Sequence, residues 1–204
     1  VSEEKINYLI NLYNRGQLRD VVTQAQILTR QFPQAYIIWN ILGAANKGLG
    51  QIEEASRAFK RVTELNRNYA DGFNNLGVTL KQQNKLDEAI ESFKQALSLQ
   101  PNYSVTYLNI GMCYKEKGEL DKAIEFYKKS LSLDPNYAEA YNQLGNILIE
   151  QGELKKAVNA FNKSVLLKPD YADAYNNLGV ALQNQGKLDE AFEAYKKALA
   201  VKPE

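Results

Sequence analysis

The stretch AEAYNQLGNILIEQGELKKAVNAFNKSVLLKPDY, residues 138–171, contains two helical patterns with one glycine between them. In its first half, the residues three, four and seven positions after Tyr141 are apolar or small, as on one face of a helix. The same spacing starts again at Leu154. Gly152 separates the two halves, and glycine readily adopts the left-handed backbone that ends many helices. The stretch therefore predicts two helices joined by a tight turn.

This pattern recurs through the chain with a period of 34 residues. The glycine, alanine, aromatic and proline positions of the stretch all have equivalents at that spacing, with Arg67 in place of one proline. They form the columns Gly43, Gly77, Gly111, Gly145 and Gly179; Ala55, Ala89, Ala123, Ala157 and Ala191; Phe59, Phe93, Tyr127, Phe161 and Tyr195; Trp39, Phe73, Tyr107, Tyr141 and Tyr175; and Pro33, Pro101, Pro135, Pro169 and Pro203. Because independent columns keep one period, we predict an array of repeated helical pairs.

These columns resemble the tetratricopeptide repeat (TPR), in which a large aromatic, Leu-Gly, a glycine turn, alanine, a second aromatic and proline follow in this order. The resemblance covers five repeats, at residues 36–69, 70–103, 104–137, 138–171 and 172–204. Residues 1–35 keep Gly16 and Pro33 in phase but have Lys5 and Leu9 where the aromatic and the glycine belong, so we predict a degenerate, cap-like helical pair there. The implied fold is an all-α, right-handed superhelical solenoid of antiparallel helix pairs.

The starts of the first helices also carry a signal. Asn68, Asn136 and Asp170 each precede a Tyr-Ala pair followed by an acidic residue. An Asn or Asp with an acidic residue three positions on is typical of a helix N-cap. We therefore predict that these three side chains cap the helices that follow them.

The composition excludes several classes of function. The 204 residues include 25 Lys+Arg and 24 Asp+Glu, so the formal net charge is +1 and we expect no nucleic-acid partner. There is no histidine and only one cysteine, Cys113, which we predict to be a buried hydrophobe. A structural zinc site needs about four Cys or His ligands, and nucleophile pairs with histidine cannot form. We therefore expect no enzymatic activity, no metal and no cofactor.

The sequence shows no membrane signal. No apolar run approaches the roughly 18 residues that a transmembrane helix requires. The first residues lack the basic and apolar segments of a signal peptide. We expect no membrane insertion and a cytoplasmic location.

The resemblance also implies where a partner binds, because first helices of TPR arrays line a concave groove that holds peptides. By resemblance, groove residues lie one, four, five, eight, eleven and twelve places after each repeat start, and here they form a mostly polar, uncharged surface with lysines along one edge. The candidate peptide-binding residues are Asn40, Asn74, Asn75, Asn109, Asn142, Gln143, Asn146, Asn176, Asn177, Lys47, Lys81 and Lys115.

One amide column is of particular interest. Amides carry both a donor and an acceptor, which suits the alternating groups of an extended peptide backbone. Asn75, Asn109 and Asn177, with Gln143 as a longer amide, resemble the asparagine ladder of O-linked N-acetylglucosamine transferase arrays, although Ile41 interrupts the column. A second interpretation stays open, in which Asn-Asn-Leu-Gly is simply frequent in such repeats.

The sequence therefore predicts a non-catalytic scaffold that binds an extended peptide or a partner protein in its concave groove. Two alternatives remain: an accessory TPR region of a larger enzyme such as a glycosyltransferase, and a self-assembling scaffold. The second alternative depends on the last helix, about 188–201, which has no following repeat to cover Ala191, Phe192, Tyr195 and Leu199. We predict that this uncapped C-terminal helix forms a homo-oligomer contact.

Overall fold

The computed structural model describes residues 1–202, which form twelve α-helices and no β-strand. The helices are α1 (Glu3–Asn14), α2 (Leu18–Gln31), α3 (Tyr36–Gly48), α4 (Ile52–Leu65), α5 (Ala70–Gln82), α6 (Leu86–Leu99), α7 (Ser104–Glu116), α8 (Leu120–Leu133), α9 (Ala138–Glu150), α10 (Leu154–Leu167), α11 (Ala172–Asn184) and α12 (Leu188–Val201). The all-α fold is thus confirmed. Pro203, the last member of the proline column, lies outside the described residues.

Each helical pair is joined by a turn whose middle residue has a left-handed backbone. Gly152 has φ 74° in the turn between α9 and α10, as the sequence predicted. The Gly152 N–H donates to the Ile149 carbonyl at 2.9 Å, and the Glu153 N–H donates to the Leu148 carbonyl at 2.8 Å. Asn84 occupies the equivalent position between α5 and α6 with φ 59°, a conformation that Asn tolerates better than most residues.

The predicted N-caps are wrong. The cap residues of α5, α9 and α11 are Tyr69, Tyr137 and Tyr171, and none of them makes a side-chain capping hydrogen bond. Instead, the Asn136 N–H donates to the Asp134 carboxylate at 3.0 Å, and the Asn68 N–H donates to the Asn66 side chain at 3.1 Å. The polar side chains before these helices therefore shape the connection between repeats rather than the helix start.

The glycine column lets an aromatic ring lie against the first helix in each of the five repeats from residue 36 onward. A Cβ atom on Gly145 would lie 2.6 Å from Cε1 of Phe161, a separation at which atoms overlap. Phe161 is fully buried, as are Phe93 and Tyr127 at the equivalent positions. The absence of a side chain on the first helix therefore gives the ring of the second helix its place.

The helices form two compact units, which are described separately. The first unit, Val1–Asn102, contains α1 to α6, and the second begins at Tyr103 and contains α7 to α12. Inside each unit, every helix packs on its neighbours in the chain. The buried residues of the second unit include Cys113, whose side chain is fully buried as predicted. No helix within residues 1–202 is long and apolar enough to cross a membrane.

The last helix, α12, exposes part of its apolar surface. Leu188 and Phe192 are each 66% exposed and Leu199 is 60% exposed. Ala191 was predicted to be uncovered as well, and this is wrong, because it is only 3% exposed and packs in the core with Phe161 and its neighbours. The homo-oligomer contact through this helix stays a prediction.

Candidate peptide-binding surface

The twelve candidate residues all lie on first helices of their repeats. Asn40 and Lys47 lie on α3, and the other candidates of the first unit lie on α5: Asn74, Asn75 and Lys81. In the second unit they lie on α7 (Asn109, Lys115), α9 (Asn142, Gln143, Asn146) and α11 (Asn176, Asn177). Positions four, five, eight and eleven places into a helix share one side of it. The residues three, six and ten places after each repeat start, which include the large aromatic column and a leucine column, lie on a different side of the same helices.

Exposure separates these residues into different groups. Asn74 is 8% exposed and Asn142 is 3% exposed, so both are buried and offer little surface to a partner. Asn176 is exposed, although it occupies the same repeat position. The remaining candidates are half-buried. Some residues four places after a repeat start are therefore buried in the core, although the sequence predicted that this column lines the groove.

A chain of hydrogen bonds connects two of the candidates in the second unit. Asn177 Nδ2 donates to Asn142 Oδ1 at 3.1 Å, and Asn142 Nδ2 donates to the Tyr171 hydroxyl at 3.3 Å. Both ends of the Asn142 amide are therefore used inside the protein. An asparagine amide has two N–H donors and an acceptor oxygen, so Asn177 keeps its oxygen and one N–H for a partner. Asn142 fixes the direction in which Asn177 presents them.

Tyr171 is the residue that the sequence did not single out. Burial raises the pKa of Tyr171, the charges of Glu139 and Asp173 raise it further, and the hydrogen bond from Asn142 lowers it. Lys168 lies over the Tyr171 ring at 4.8 Å and donates to Glu139 at 3.0 Å. These contacts hold the ring from the side of the inter-repeat connection. The only sequence signal for the hydrogen bond between Tyr171 and Asn142 is that an asparagine and a tyrosine stand at these two positions, 29 residues apart.

The third repeat lacks this arrangement. Leu108 takes the place of Asn142, and it is buried at 5% exposure. Tyr137 then stands where Tyr171 stands one repeat later, and burial raises its pKa to about 12. A tyrosine in this column is therefore compatible with either an amide or a leucine as its neighbour.

In the first unit, Asn40 occupies the same repeat position as Asn142, but its side-chain oxygen accepts no hydrogen bond. Its Oδ1 atom is buried and has no hydrogen-bond partner. Asn75 stands 35 positions after Asn40, as Asn177 does after Asn142, but no equivalent bond forms. A buried oxygen without a donor is unusual in folded proteins and costs stability. Asn40 and Asn142 therefore differ in their hydrogen bonds, although their repeats align.

The three candidate lysines occupy the last turns of their helices. Lys47, Lys81 and Lys115 lie near the C-terminal ends of α3, α5 and α7, where a positive charge is favoured by the helix dipole. Ile149 and Gln183 hold the equivalent positions on α9 and α11. The charge therefore does not continue through the second unit. No group of three or more Cys, Asp or Glu residues in the described part of the chain could hold a metal ion.

Comparison with known sequences establishes the family. Profiles described as "TPR repeat" match residues 43–84, 111–152 and 145–186. Profiles described as "Tetratricopeptide repeat" match residues 70–103, 172–204 and 92–125. The matches extend over more than half of the chain, and the chain belongs to the tetratricopeptide repeat family. A search of curated proteins gives no match.

Solved structures agree with this assignment. The crystal structure of MamA is similar, with 30% sequence identity, a TM-score of 0.67, and an alignment covering 82% of this chain and 91% of that chain. PilW, described as a widely conserved type IV pilus biogenesis factor, is 20% identical over 98% of this chain and 94% of its own, with a TM-score of 0.87. YrrB, described as a TPR protein with an unusual peptide-binding site, is 20% identical over 88% and 93%, with a TM-score of 0.63. The last two show the fold alone.

Proposed function

We propose that this chain is a non-catalytic scaffold that binds an extended peptide or a partner protein along the amide-bearing side of its first helices. The observation that supports this proposal is the hydrogen-bond chain from Tyr171 through Asn142 to Asn177. It orients one amide whose remaining donor and acceptor point away from internal partners. An oriented amide loses less conformational entropy on binding than a free one, and this favours affinity.

The chemistry of the surface favours recognition of a backbone rather than of particular side chains. Asn109 and Gln143 are half-buried amides in the same column as Asn177. Each hydrogen bond from such an amide to a peptide contributes about 0.5–1.5 kcal/mol. Several together give useful affinity with little sequence preference. Lys47, Lys81 and Lys115 would add a preference for acidic partners that weakens as salt is added.

The test begins with partners recovered by affinity purification on the full chain. Binding of a recovered partner is then measured by isothermal titration calorimetry to the wild type and to the Asn75→Ala/Asn109→Ala/Asn177→Ala variant. We expect the variant to bind at least about tenfold more weakly, since several hydrogen bonds are lost. Circular dichroism must show that the variant remains helical.

The matched control is Lys128→Ala/Lys129→Ala, which changes two exposed residues of α8. The control should bind as the wild type does. If the amide variant binds normally and the control loses the partner, the surface has been assigned to the wrong side of the helices. Equal loss in both variants would show that binding depends on general charge or stability.

Self-association is a second candidate because α12 exposes Leu188, Phe192 and Leu199. Exposed apolar strips of this kind favour contact with another protein. Sedimentation velocity of the wild type and of Phe192→Ser over a range of concentrations tests it. A monomer at every concentration would rule this candidate out.

A further inference from the structure

A pocket recurs on the side of the repeats formed by the second helices. In each case two consecutive second helices form the walls and the intervening first helix forms the floor. The floor residues repeat with the period of the chain. They are Trp39, Leu42 and Asn46 between α2 and α4; Phe73, Leu76 and Leu80 between α4 and α6; Tyr141, Leu144 and Leu148 between α8 and α10; and Tyr175, Leu178 and Leu182 between α10 and α12.

The pocket between α2 and α4, which we call the Trp39 pocket, departs from this pattern at its floor. Its volume is about 620 Å³. Asn46 stands where the other pockets have Leu80, Leu148 and Leu182. Asn46 is only 3% exposed, and its Oδ1 atom is buried without a hydrogen-bond partner. A buried amide in a leucine position does not serve the packing of the repeat. Such departures concentrate at functional sites.

The rim of the Trp39 pocket is basic, and most of its positive charge comes from arginine, whereas the basic residues of the pocket beside Tyr141 are all lysines. Four basic residues, Arg30, Arg57, Lys60 and Arg61, line it together with only two acidic ones, Glu54 and Glu64. All six arginines of the chain lie between residues 15 and 67, and three of them are at this pocket. The first unit thus concentrates its arginines where the floor is also altered.

One arginine differs from its repeat equivalents in the sign of its charge. Arg57 occupies the position held by Glu91, Glu125 and Glu193 in other repeats. It pairs with Glu54 at 2.8 Å, and Arg61 pairs with Glu64 at 3.0 Å, and each of the four side chains is at least a third exposed. Exposed pairs of this kind are weak and are easily exchanged for a better partner.

We propose that the Trp39 pocket binds an acidic segment of a partner protein. An apolar side chain of the segment would lie on Trp39 and Leu42, and flanking carboxylates would pair with the arginines of the rim. The guanidinium group presents a planar fork of donors that matches a carboxylate, and it also stacks on apolar surfaces. Asn46 has as many non-hydrogen side-chain atoms as leucine, so it changes the chemistry of the floor rather than its size, placing an amide where the other pockets have a leucine.

This surface is independent of the amide-bearing side of the first helices. Trp39, Leu42 and Asn46 lie between about a quarter and a half of a turn from Asn40 and Lys47 on α3, given 3.6 residues per turn. The proposal therefore adds a second interaction surface to the proposed function. One partner on each side of α3 is compatible with this arrangement.

The test uses two capped octapeptides as probes, EDELFEDE and its neutral counterpart QNQLFQNQ. Isothermal titration calorimetry measures their binding to the full chain and to two variants that restore the repeat pattern, Asn46→Leu and Arg57→Glu. We expect the acidic probe to bind the wild type and the neutral probe to bind at least about tenfold more weakly, because paired charges are lost. Both variants should weaken the acidic probe by a similar factor. Asn46→Leu should also raise the melting temperature, since it removes a buried oxygen without a partner.

Two controls separate this surface from others. Lys163→Glu changes one charge in the equivalent pocket beside Tyr141 and should leave binding of the acidic probe unchanged. The amide variant Asn75→Ala/Asn109→Ala/Asn177→Ala should leave it unchanged too, so that failure of the proposed function and failure of this proposal give different results. Arg57 is exposed, and Arg57→Glu therefore keeps the test valid even if Asn46→Leu does not fold.

Four outcomes would overturn the proposal. The first is no binding of the acidic probe at about 1 mM, a dissociation constant that corresponds to a binding free energy near −4 kcal/mol. The second is equal binding of the two probes, and the third is equal weakening of the acidic probe by Lys163→Glu and Arg57→Glu. The fourth is loss of self-association in Arg57→Glu without loss of probe binding, which would make a second copy of the chain the occupant.

Discussion

In the first unit a Cβ atom on Gly77 would lie 2.6 Å from the Phe93 ring, and in the second unit the distance from Gly145 to Phe161 is the same. Two residues at one repeat position, Asn40 in the first unit and Asn142 in the second, differ instead. Asn142 in the second unit has hydrogen bonds at both ends of its amide, whereas the oxygen of Asn40 in the first unit is buried without a partner. The contact between the glycine and the aromatic ring is constant in the five repeats from residue 36 onward, and the polar side of the first helices varies. Specialisation in this chain therefore lies outside the glycine and aromatic columns.

The largest expected effect tests the constant part of this comparison. Phe161→Ala and Phe93→Ala each remove a fully buried ring. We expect each substitution to lower the free energy of unfolding by about 3–5 kcal/mol, from lost burial and the cavity that remains. Urea unfolding followed by circular dichroism measures both. A difference of more than about 2 kcal/mol between the two variants would show that the core contact is not equivalent in the two units.

The next effect tests the asparagine column that contains Asn40 and Asn142. Asn142→Leu copies Leu108 of the preceding repeat and removes both hydrogen bonds, so we expect it to lower the free energy of unfolding by about 1 kcal/mol. Asn40→Leu removes an oxygen that has no partner, so we expect it to raise that free energy by about 1 kcal/mol. Urea midpoints of the two variants measure these opposite changes. Changes of the same sign would contradict the difference between Asn40 and Asn142.

A smaller effect isolates the hydroxyl at the end of the hydrogen-bond chain. Tyr171→Phe leaves the Asn142 N–H without its acceptor and should lower the free energy of unfolding by about 0.5–1.5 kcal/mol. Tyr137→Phe is the matched control, because Leu108 stands at the position of Asn142 in its repeat. Thermal unfolding should show little change for the control. A larger loss in Tyr137→Phe than in Tyr171→Phe would show that the column acts by packing alone.

A further effect appears only at alkaline pH. Burial raises the pKa of Tyr137 from 10.0 to about 12, so the folded chain holds this proton more tightly than the unfolded chain does. The stability from this group is complete below about pH 10 and is lost as pH rises from there to about 12. Melting temperatures across this range should fall less steeply for Tyr137→Phe than for the wild type. Identical slopes would show that Tyr137 titrates as a free tyrosine.

The helices themselves could be predicted from the sequence because their signals are local. The predicted repeat starts at Tyr36, Ala70, Ser104, Ala138 and Ala172 coincide with the first residues of α3, α5, α7, α9 and α11. Period and turn chemistry depend on residues a few positions apart. A single sequence with a regular repeat therefore determines helix positions closely.

The details of the candidate surface could not be predicted in this way. Burial of Asn142 depends on Tyr171, which lies 29 positions later, and on Asn177, which lies 35 positions later. The predicted N-caps failed for a related reason. Asn136 had the right residue type, but Asp134 uses its own side chain to bond the Asn136 N–H. Residue type and spacing did not reveal which of several polar neighbours would form each bond.

The composition of the Trp39 pocket has a practical consequence. Trp39 is the only tryptophan of the chain, among thirteen tyrosines, and its indole N–H donates to the Pro33 carbonyl at 3.0 Å. Because indole can be excited at wavelengths that tyrosine does not absorb, the intrinsic fluorescence of the protein reports on this one place. Its emission should shift to longer wavelength when the first unit opens and the ring meets water. Unfolding of the second unit should leave that emission unchanged, so the two halves of the chain can be followed separately without a label.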